Sequence, residues 1–187
     1  MTKNLLTEVV KKIGKICGEE NVKVVFMGGI AVGVYGLPRA TFDVDCLGLI
    51  SDDSLSRLLG ELKKNGFTFD IQQPVKTING KPFITLMYSK YKIYVDIFIA
   101  QSDFYKKIIT RARSIKFAAA KIRIIAPEDL ILMKLQARRE KDLDDVRGIL
   151  QENRGKLDFA YLQSWAKKLE VDLFLRDELA SLRNSEG

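Results

Sequence analysis

Two aspartates one residue apart, Asp43 and Asp45, are the first candidates for chemistry in this chain. They begin an apolar run that predicts a strand over residues 43–50. Because side chains alternate between faces along a strand, both carboxylates project from one face. Close like charges raise each other's pKa unless a metal ion or an arginine neutralises them. Oxygen-only ligands suit Mg²⁺ or Mn²⁺, so the pair predicts a divalent-metal site.

A glycine pair, Gly28-Gly29, precedes the aspartates and follows a β-branched and aromatic run over residues 24–27. This run predicts a buried strand, and two glycines at its end let the backbone turn tightly and approach a ligand without a Cβ in the way. Residues 30–35 predict a short helix. Its N-terminal amides would point at whatever lies over the glycines, which is a natural place for a phosphate.

A third acid, Asp96, lies in the middle of another predicted strand. Residues 83–88 and 91–100 predict a hairpin joined at Ser89-Lys90, with apolar side chains on one face of its second strand and Asp96 on the other. An ionised carboxylate there costs several kcal/mol unless it is paired or bound to metal. A salt bridge to Lys92, or exposure on an edge strand, is the structural alternative.

The composition excludes several classes of chemistry. Histidine is absent from the 187 residues, which removes Ser-His-Asp, Cys-His and most zinc sites and leaves carboxylates, lysines and metals. The two cysteines, Cys17 and Cys46, are predicted to be buried thiols rather than a disulfide framework. Since no apolar run is long enough for a membrane span and the N-terminus is amphipathic, we expect a cytoplasmic protein with no membrane partner.

The later part of the chain is predicted to be helical and contains further charged candidates. Pro127 predicts the start of a helix that runs to Gln151. On it, three cations share one face at i, i+4, i+7 spacing and two acids follow: Lys134, Arg138, Lys141, Asp142 and Asp145. An ordinary solvated helix with i,i+4 ion pairs is the alternative interpretation.

The net charge of +7 is concentrated in one segment. Residues 104–127 contain seven cations and no acid, so the rest of the chain sums to zero: Lys106, Lys107, Arg111, Arg113, Lys116, Lys121 and Arg123. Such a segment predicts a surface that receives a polyanion. Dispersal of these cations over a solvated helix and strands is the alternative.

Gly28-Gly29, a gap and then Arg39-x-Thr41-x-Asp43-x-Asp45 resembles the signature of the nucleotidyltransferase superfamily, which has the polymerase-β-like fold. Residues 126–145 are similar to the helical half of small bacterial and archaeal nucleotidyltransferases, the AbiEii-like toxin group among them. The resemblance covers roughly residues 22–150. It implies an α/β (α+β) fold with a mixed sheet flanked by helices. We expect a catalytic core over residues 1–126 and a C-terminal helical region over 127–187 that packs on it as a single globular unit.

The resemblance also implies an activity and a role for each residue. The reaction would be transfer of a nucleoside monophosphate from an NTP to a hydroxyl, with release of pyrophosphate. Asp43, Asp45 and Asp96 would hold two Mg²⁺ or Mn²⁺ ions, and Asp96 would take the proton of the attacking hydroxyl. The nucleotide would be bound by residues of both halves: Gly28, Gly29, Arg39, Thr41, Lys134 and Arg138. RNA is the expected acceptor, and a toxin-like protein would have an antitoxin partner.

Other functions fit parts of the pattern. An antibiotic- or protein-modifying nucleotidyltransferase uses the same chemistry, although cationic drugs call for an acidic acceptor site and the surplus here is basic. A hydrolase of the haloacid-dehalogenase type also uses Asp-x-Asp at a strand, but no Gly-Gly strand precedes it. A nucleotide- or nucleic-acid-binding module, or one bound to an antitoxin, could keep the fold without catalysis, and three intact carboxylates argue against that.

Overall fold

A computed structural model describes residues 2–118 and 120–184, which form helices and one mixed sheet. The helices of this part of the chain are α1 (Thr2–Glu19), α2 (Gly28–Tyr35), α3 (Asp52–Lys64), α4 (Asp103–Arg111), α5 (Pro127–Ala137), α6 (Glu140–Glu152), α7 (Phe159–Lys168) and α8 (Asp172–Asn184). The strands are β1 (Lys23–Phe26), β2 (Asp43–Leu49), β3 (Phe67–Thr68), β4 (Lys76–Ile78), β5 (Lys81–Tyr88), β6 (Ile93–Ile99), β7 (Arg113–Phe117) and β8 (Ala120–Ile124). None of the described helices combines the length and apolar composition that a membrane crossing requires.

The sheet has the order β3-β5-β6-β2-β1-β8-β7, with β4 paired to β5. The central strand β2 runs antiparallel to β1 and parallel to β6. β1 and β8 are parallel, whereas the β5–β6 and β7–β8 pairs are antiparallel. The predicted α/β (α+β) class, a mixed sheet flanked by helices, is therefore confirmed.

Alternation along the strands gives the sheet two chemically different faces. Val44 and Cys46 of β2 are fully buried, and Cys46 is close enough to Cys17 of α1 for the two thiols to influence each other, so α1 covers this face. Burial raises the pKa of Cys17 to about 12, and burial also raises that of Cys46, so both are neutral core thiols as predicted. The other face bears Asp45 and Asp96, and we call it the carboxylate face.

The chain forms two compact units. The first comprises Met1–Ile30 and Ala40–Ile125 and contains the sheet. The second comprises Ala31–Arg39 and Ala126–Gly187, and the elements described in it are helices. In the second unit, α5 begins at Pro127 as predicted, because proline has no N–H to leave unpaired in a first helical turn.

One expectation about secondary structure was wrong. The helix predicted to run to Gln151 is interrupted at Arg138, whose left-handed backbone (φ 55°) ends α5 before α6 starts at Glu140. Strand β3 is only two residues long. Short β4 is an additional strand, joined to β5 through Asn79 and Gly80, which both have positive φ as a tight hairpin turn requires.

Candidate active site

Strand register brings two of the three predicted carboxylates side by side. Asp45 of β2 pairs with Asp96 of β6, and Asp43 pairs with Tyr94 two residues earlier on the same two strands. Directly paired residues of neighbouring strands point to the same face and lie about 5 Å apart. Asp45 and Asp96 are half-buried and Asp43 is exposed. The three acids therefore lie on one face of the sheet, at adjacent positions of two central strands.

Threonine hydroxyls orient two of these carboxylates. Thr41 Oγ1 donates a hydrogen bond of 2.8 Å to Asp43 Oδ1, and Thr85 Oγ1 donates one of 2.7 Å to Asp96 Oδ1. The expected alternative, a salt bridge from Lys92 to Asp96, does not occur among the described residues. Sequence reasoning missed Thr85, because its proximity to Asp96 depends on the register of β5 against β6.

The two glycines bring the start of α2 against the carboxylates. Gly28 has φ 58°, and a Cβ placed on it would be 1.9 Å from Asp45 Oδ2. A Cβ on Gly29 would be 2.6 Å from Thr41 Oγ1. The Met27 N–H also donates to the Asp45 carbonyl at 2.9 Å. Both glycines are therefore needed where they stand, because the backbone passes through the space that a side chain would fill.

The donor set suits a hard divalent cation. All three side chains offer carboxylate oxygens, and the absence of a Cβ on Gly28 leaves room for the Asp45 carboxylate. In the part of the chain that the structure describes, no three acidic, cysteine or histidine side chains are already grouped as a metal site. The metal ligands Asp43, Asp45 and Asp96 thus remain a prediction.

The second unit contains a group of ion pairs, which we call the ion-pair cluster: Arg39, Lys134, Arg139, Asp142 and Asp145. The Lys134 ammonium donates to Asp142 Oδ1 at 2.9 Å and lies 2.6 Å from Asp145 Oδ2. Arg39 donates through Nε and Nη2 to both oxygens of Asp145, at 2.9 and 3.0 Å. Arg139 Nε donates to Asp142 Oδ2 at 2.6 Å.

The cluster is buried on its acidic side and exposed at its arginines. Lys134 is 6% exposed and Asp142 fully buried, whereas the Arg139 side chain is 63% exposed. Burial raises the pKa of Asp142, and the hydrogen bonds from Arg139 and Lys134 outweigh burial, so that this pKa lies below its ordinary value. Burial likewise raises the pKa of Asp145, and Arg39 and Lys134 lower it further than burial raises it.

These positions change the interpretation of the predicted phosphate-binding cations. The continuous helical face predicted for Lys134, Arg138 and Lys141 is not formed, because α5 ends at Arg138 and Lys134 pairs with the aspartates of α6. Arg138 is exposed, with its guanidinium 4.0 Å from the centre of the Phe174 ring. Gly28, Gly29, Thr41 and the three acids lie in the first unit, and Arg39, Lys134 and Arg138 in the second.

The sequence matches a protein-family model described as "Nucleotidyltransferase of unknown function (DUF6036)" over residues 4–173. The chain belongs to this nucleotidyltransferase family. No functionally curated protein matches the sequence at a significant level. The family match confirms the predicted nucleotidyltransferase superfamily. It does not confirm membership of the AbiEii-like toxin group.

Solved structures of nucleotidyltransferases share the fold. The antibiotic-resistance factor ANT(2'')-Ia, whose solution structure is known, is 15% identical with a TM-score of 0.58, covering 100% of this chain and 98% of its own. An antigenic nucleotidyltransferase-like protein from Paracoccidioides brasiliensis is 17% identical with a TM-score of 0.52, covering 96% and 94%. A putative nucleotidyltransferase from Thermotoga maritima is 16% identical with a TM-score of 0.52, covering 81% and 96%.

Proposed function

We propose that this nucleotidyltransferase transfers a nucleoside monophosphate from an NTP to a hydroxyl of RNA, at a divalent-metal site on the carboxylate face. The observation that carries the proposal is the pairing of Asp45 with Asp96 beside Gly28, whose missing Cβ leaves space for the Asp45 carboxylate. Two adjacent carboxylates repel each other when both are ionised, and a cation relieves that repulsion. An NTP brings Mg²⁺ to such a site.

Each group of the carboxylate face has a role in this reaction. Asp43, Asp45 and Asp96 would hold the metal, which lowers the pKa of the acceptor hydroxyl and neutralises charge on the triphosphate. The hydroxyl oxygen bonds to the α-phosphorus, the bond from that phosphorus to the bridging oxygen breaks, and pyrophosphate leaves. Asp96 takes the hydroxyl proton and passes it to water. Thr41 and Thr85 hold Asp43 and Asp96 in orientation through their hydrogen bonds.

The phosphates would be bound by backbone amides and by cations. The first amides of α2 carry the positive end of the helix dipole and lie at Gly28 and Gly29, next to Asp45. Of the three predicted cations, Arg138 pairs with no carboxylate among the described residues and is the one that can take a phosphate without giving up an ion pair. Lys134 and Arg39 already neutralise Asp145.

The basic segment supports RNA as the acceptor. Strand register places Lys121 of β8 opposite Lys116 of β7, and alternation from the Phe26–Ile124 pair puts both on the carboxylate face. Both lysines are exposed, and neither forms an ion pair within the described ranges. Like charges directly opposite each other destabilise a sheet, and a bound polyanion would neutralise them, so this lysine pair fits a surface that binds RNA.

The test is transfer of label from each of the four α-labelled NTPs, with Mg²⁺, to total RNA, total protein and a panel of aminoglycosides. We expect label in RNA, and its loss in Asp96→Asn because the proton acceptor and a metal ligand are removed together. Asp53→Asn is the matched control, since Asp53 is an exposed acid in the first turn of α3. Label in protein or drug only would replace the RNA acceptor while leaving nucleotidyl transfer in place.

We also propose a toxin-like role in the cytoplasm, with an antitoxin as partner. It depends on the resemblance of the helical half to the AbiEii-like group. Growth arrest on induction of the wild-type chain, and normal growth with Asp45→Asn, is the expected result. Equal growth of both strains would contradict a toxin.

A further inference from the structure

One aromatic side chain on the carboxylate face, Tyr94, has no evident structural role. It is the register partner of Asp43, and its residue is 54% exposed. It lies on β6, which is flanked by β2 and β5 and is thus an interior strand of the sheet. A large ring exposed at the centre of a sheet, beside the predicted metal ligands, is unusual enough to suggest contact with a substrate.

The other tyrosines of the first unit show the contrast. Tyr88 and Tyr91 donate hydrogen bonds to Glu8, and their rings pair with each other at 5.7 Å. Tyr105 is buried. Tyr94, in contrast, makes no hydrogen bond, ring contact or cation contact with any residue that the structure describes. Its ring and hydroxyl are therefore available to a ligand.

Strand order indicates which substrate passes over this ring. β1, which leads into Gly28, is one neighbour of β2, and β6 with Asp96 and Tyr94 is the other. If the triphosphate lies on the glycine side, the attacking hydroxyl must come from the opposite side, because attacking and leaving oxygens are roughly in line in phosphoryl transfer. The acceptor would thus approach across β6 and β5, where Met87 is the register partner of Tyr94.

We infer that the Tyr94 ring, with Met87 beside it, stacks on the terminal base of a single-stranded RNA acceptor and so positions its hydroxyl at the carboxylates. The inference rests on the proposed function. Tyr94 and half-buried Met87 form an apolar surface next to acids, which suits a base face and not a phosphate. Aromatic rings bind bases of every sequence in this way, because each base has a π-face. Tyr94 is then a positioning residue for the acceptor.

The kinetic test compares Tyr94→Ala and Tyr94→Phe with Ile78→Ala, which removes a similarly exposed apolar side chain (53%) from β4. With an oligoadenylate six nucleotides long as acceptor, we expect Tyr94→Ala to raise the acceptor KM about 5- to 150-fold, the range that loss of one stacked base implies. In Tyr94→Ala the KM for NTP should stay at its wild-type value. In Tyr94→Phe and Ile78→Ala both the acceptor KM and the NTP KM should stay at wild-type values. A raised NTP KM with an unchanged acceptor KM would overturn the inference and assign the ring to the nucleotide.

A binding test without turnover separates this inference from the proposed function. Trp165 is the single tryptophan of the chain, so Tyr94→Trp adds one fluorophore at the carboxylate face. Without NTP, we expect the oligoadenylate to quench the added fluorescence, and the same oligomer with an abasic terminal nucleotide to quench it at least fivefold more weakly. Equal quenching by both oligomers, or none, would overturn the inference. If wild type labels no RNA but base-dependent quenching persists, the RNA-transfer proposal fails and the stacking site stands.

Discussion

Lys134→Ala should strongly destabilise the protein. The Lys134 ammonium lies within 2.9 Å of Asp142 and 2.6 Å of Asp145, and both carboxylates are at most 6% exposed. Removing one partner of a buried ion pair costs about 3–5 kcal/mol, since a charge is left without compensation. Arg39 and Arg139 still pair with the aspartates, so we expect the lower half of that range. Because whole domains are stable by about 5–15 kcal/mol, this loss is large.

The free energy of unfolding is measured by urea denaturation at pH 7, monitored by far-UV circular dichroism. The matched control is Lys141→Ala, which removes an exposed lysine from α6 and should change the free energy of unfolding by less than about 0.5 kcal/mol. Equal stability of the two variants would refute the buried cluster and return Lys134 to a solvent-exposed, phosphate-binding role. If Lys134→Ala, but not Lys141→Ala, lowers the free energy of unfolding by more than about 3 kcal/mol, the Lys134→Ala protein is unsuitable for measuring nucleotide affinity. Arg138→Ala would then be used for that measurement instead.

Three further predictions follow from the described contacts. Because the pKa values of Asp142 and Asp145 are depressed in the folded protein, both groups stabilise it at pH values above the ordinary aspartate pKa of about 3.9. This stability should be lost as the pH falls below that value. When the free energy of unfolding is measured from pH 7 to 3, the loss should be steeper in wild type than in Lys134→Ala. Gly28→Ala should lower the free energy of unfolding by at least about 1–2 kcal/mol from its left-handed backbone alone, and a thermal melt equal to wild type would contradict the tight approach to Asp45. The logarithm of the RNA affinity should fall by about 0.7 for each contacted phosphate per tenfold rise in salt concentration. Replacing Arg111, Arg113 and Lys116 together by alanine should reduce the magnitude of this slope by up to about 2 and leave NTP binding unchanged. A salt-independent affinity would remove RNA as the ligand.

The shared face of the carboxylates could be predicted from the sequence, because strand alternation depends on local backbone geometry. Asp43 and Asp45 have the same parity, and isolated Asp96 lies opposite the buried apolar positions of its own strand. Their adjacency required the order of the strands, which the family resemblance implied and local pattern did not. Thr85 could not be found this way, since its contact with Asp96 is fixed by long-range β5–β6 pairing.

The environment of Lys134 was not predictable for a different reason. Arg138 adopts φ 55° at the end of α5, a conformation that glycine or asparagine usually signals and that nothing in this sequence marks. With the helix assumed continuous, Lys134 and Asp142 are eight residues apart and would not meet. The break lets α6 fold back, so that the aspartates neutralise Lys134 in the interior.

The central claim is nucleotidyl transfer by the carboxylates of β2 and β6, and the position of the transferred label tests it most directly. RNA is incubated with the protein, Mg²⁺ and one NTP labelled at either the α- or the γ-phosphate, and the labelled RNA is quantified for wild type, Asp45→Asn and Asp53→Asn. We predict label in RNA from the α-phosphate only, at least 100-fold less in Asp45→Asn, and an unchanged amount in Asp53→Asn. Label from the γ-phosphate, or equal transfer by Asp45→Asn and wild type, would contradict the proposed reaction.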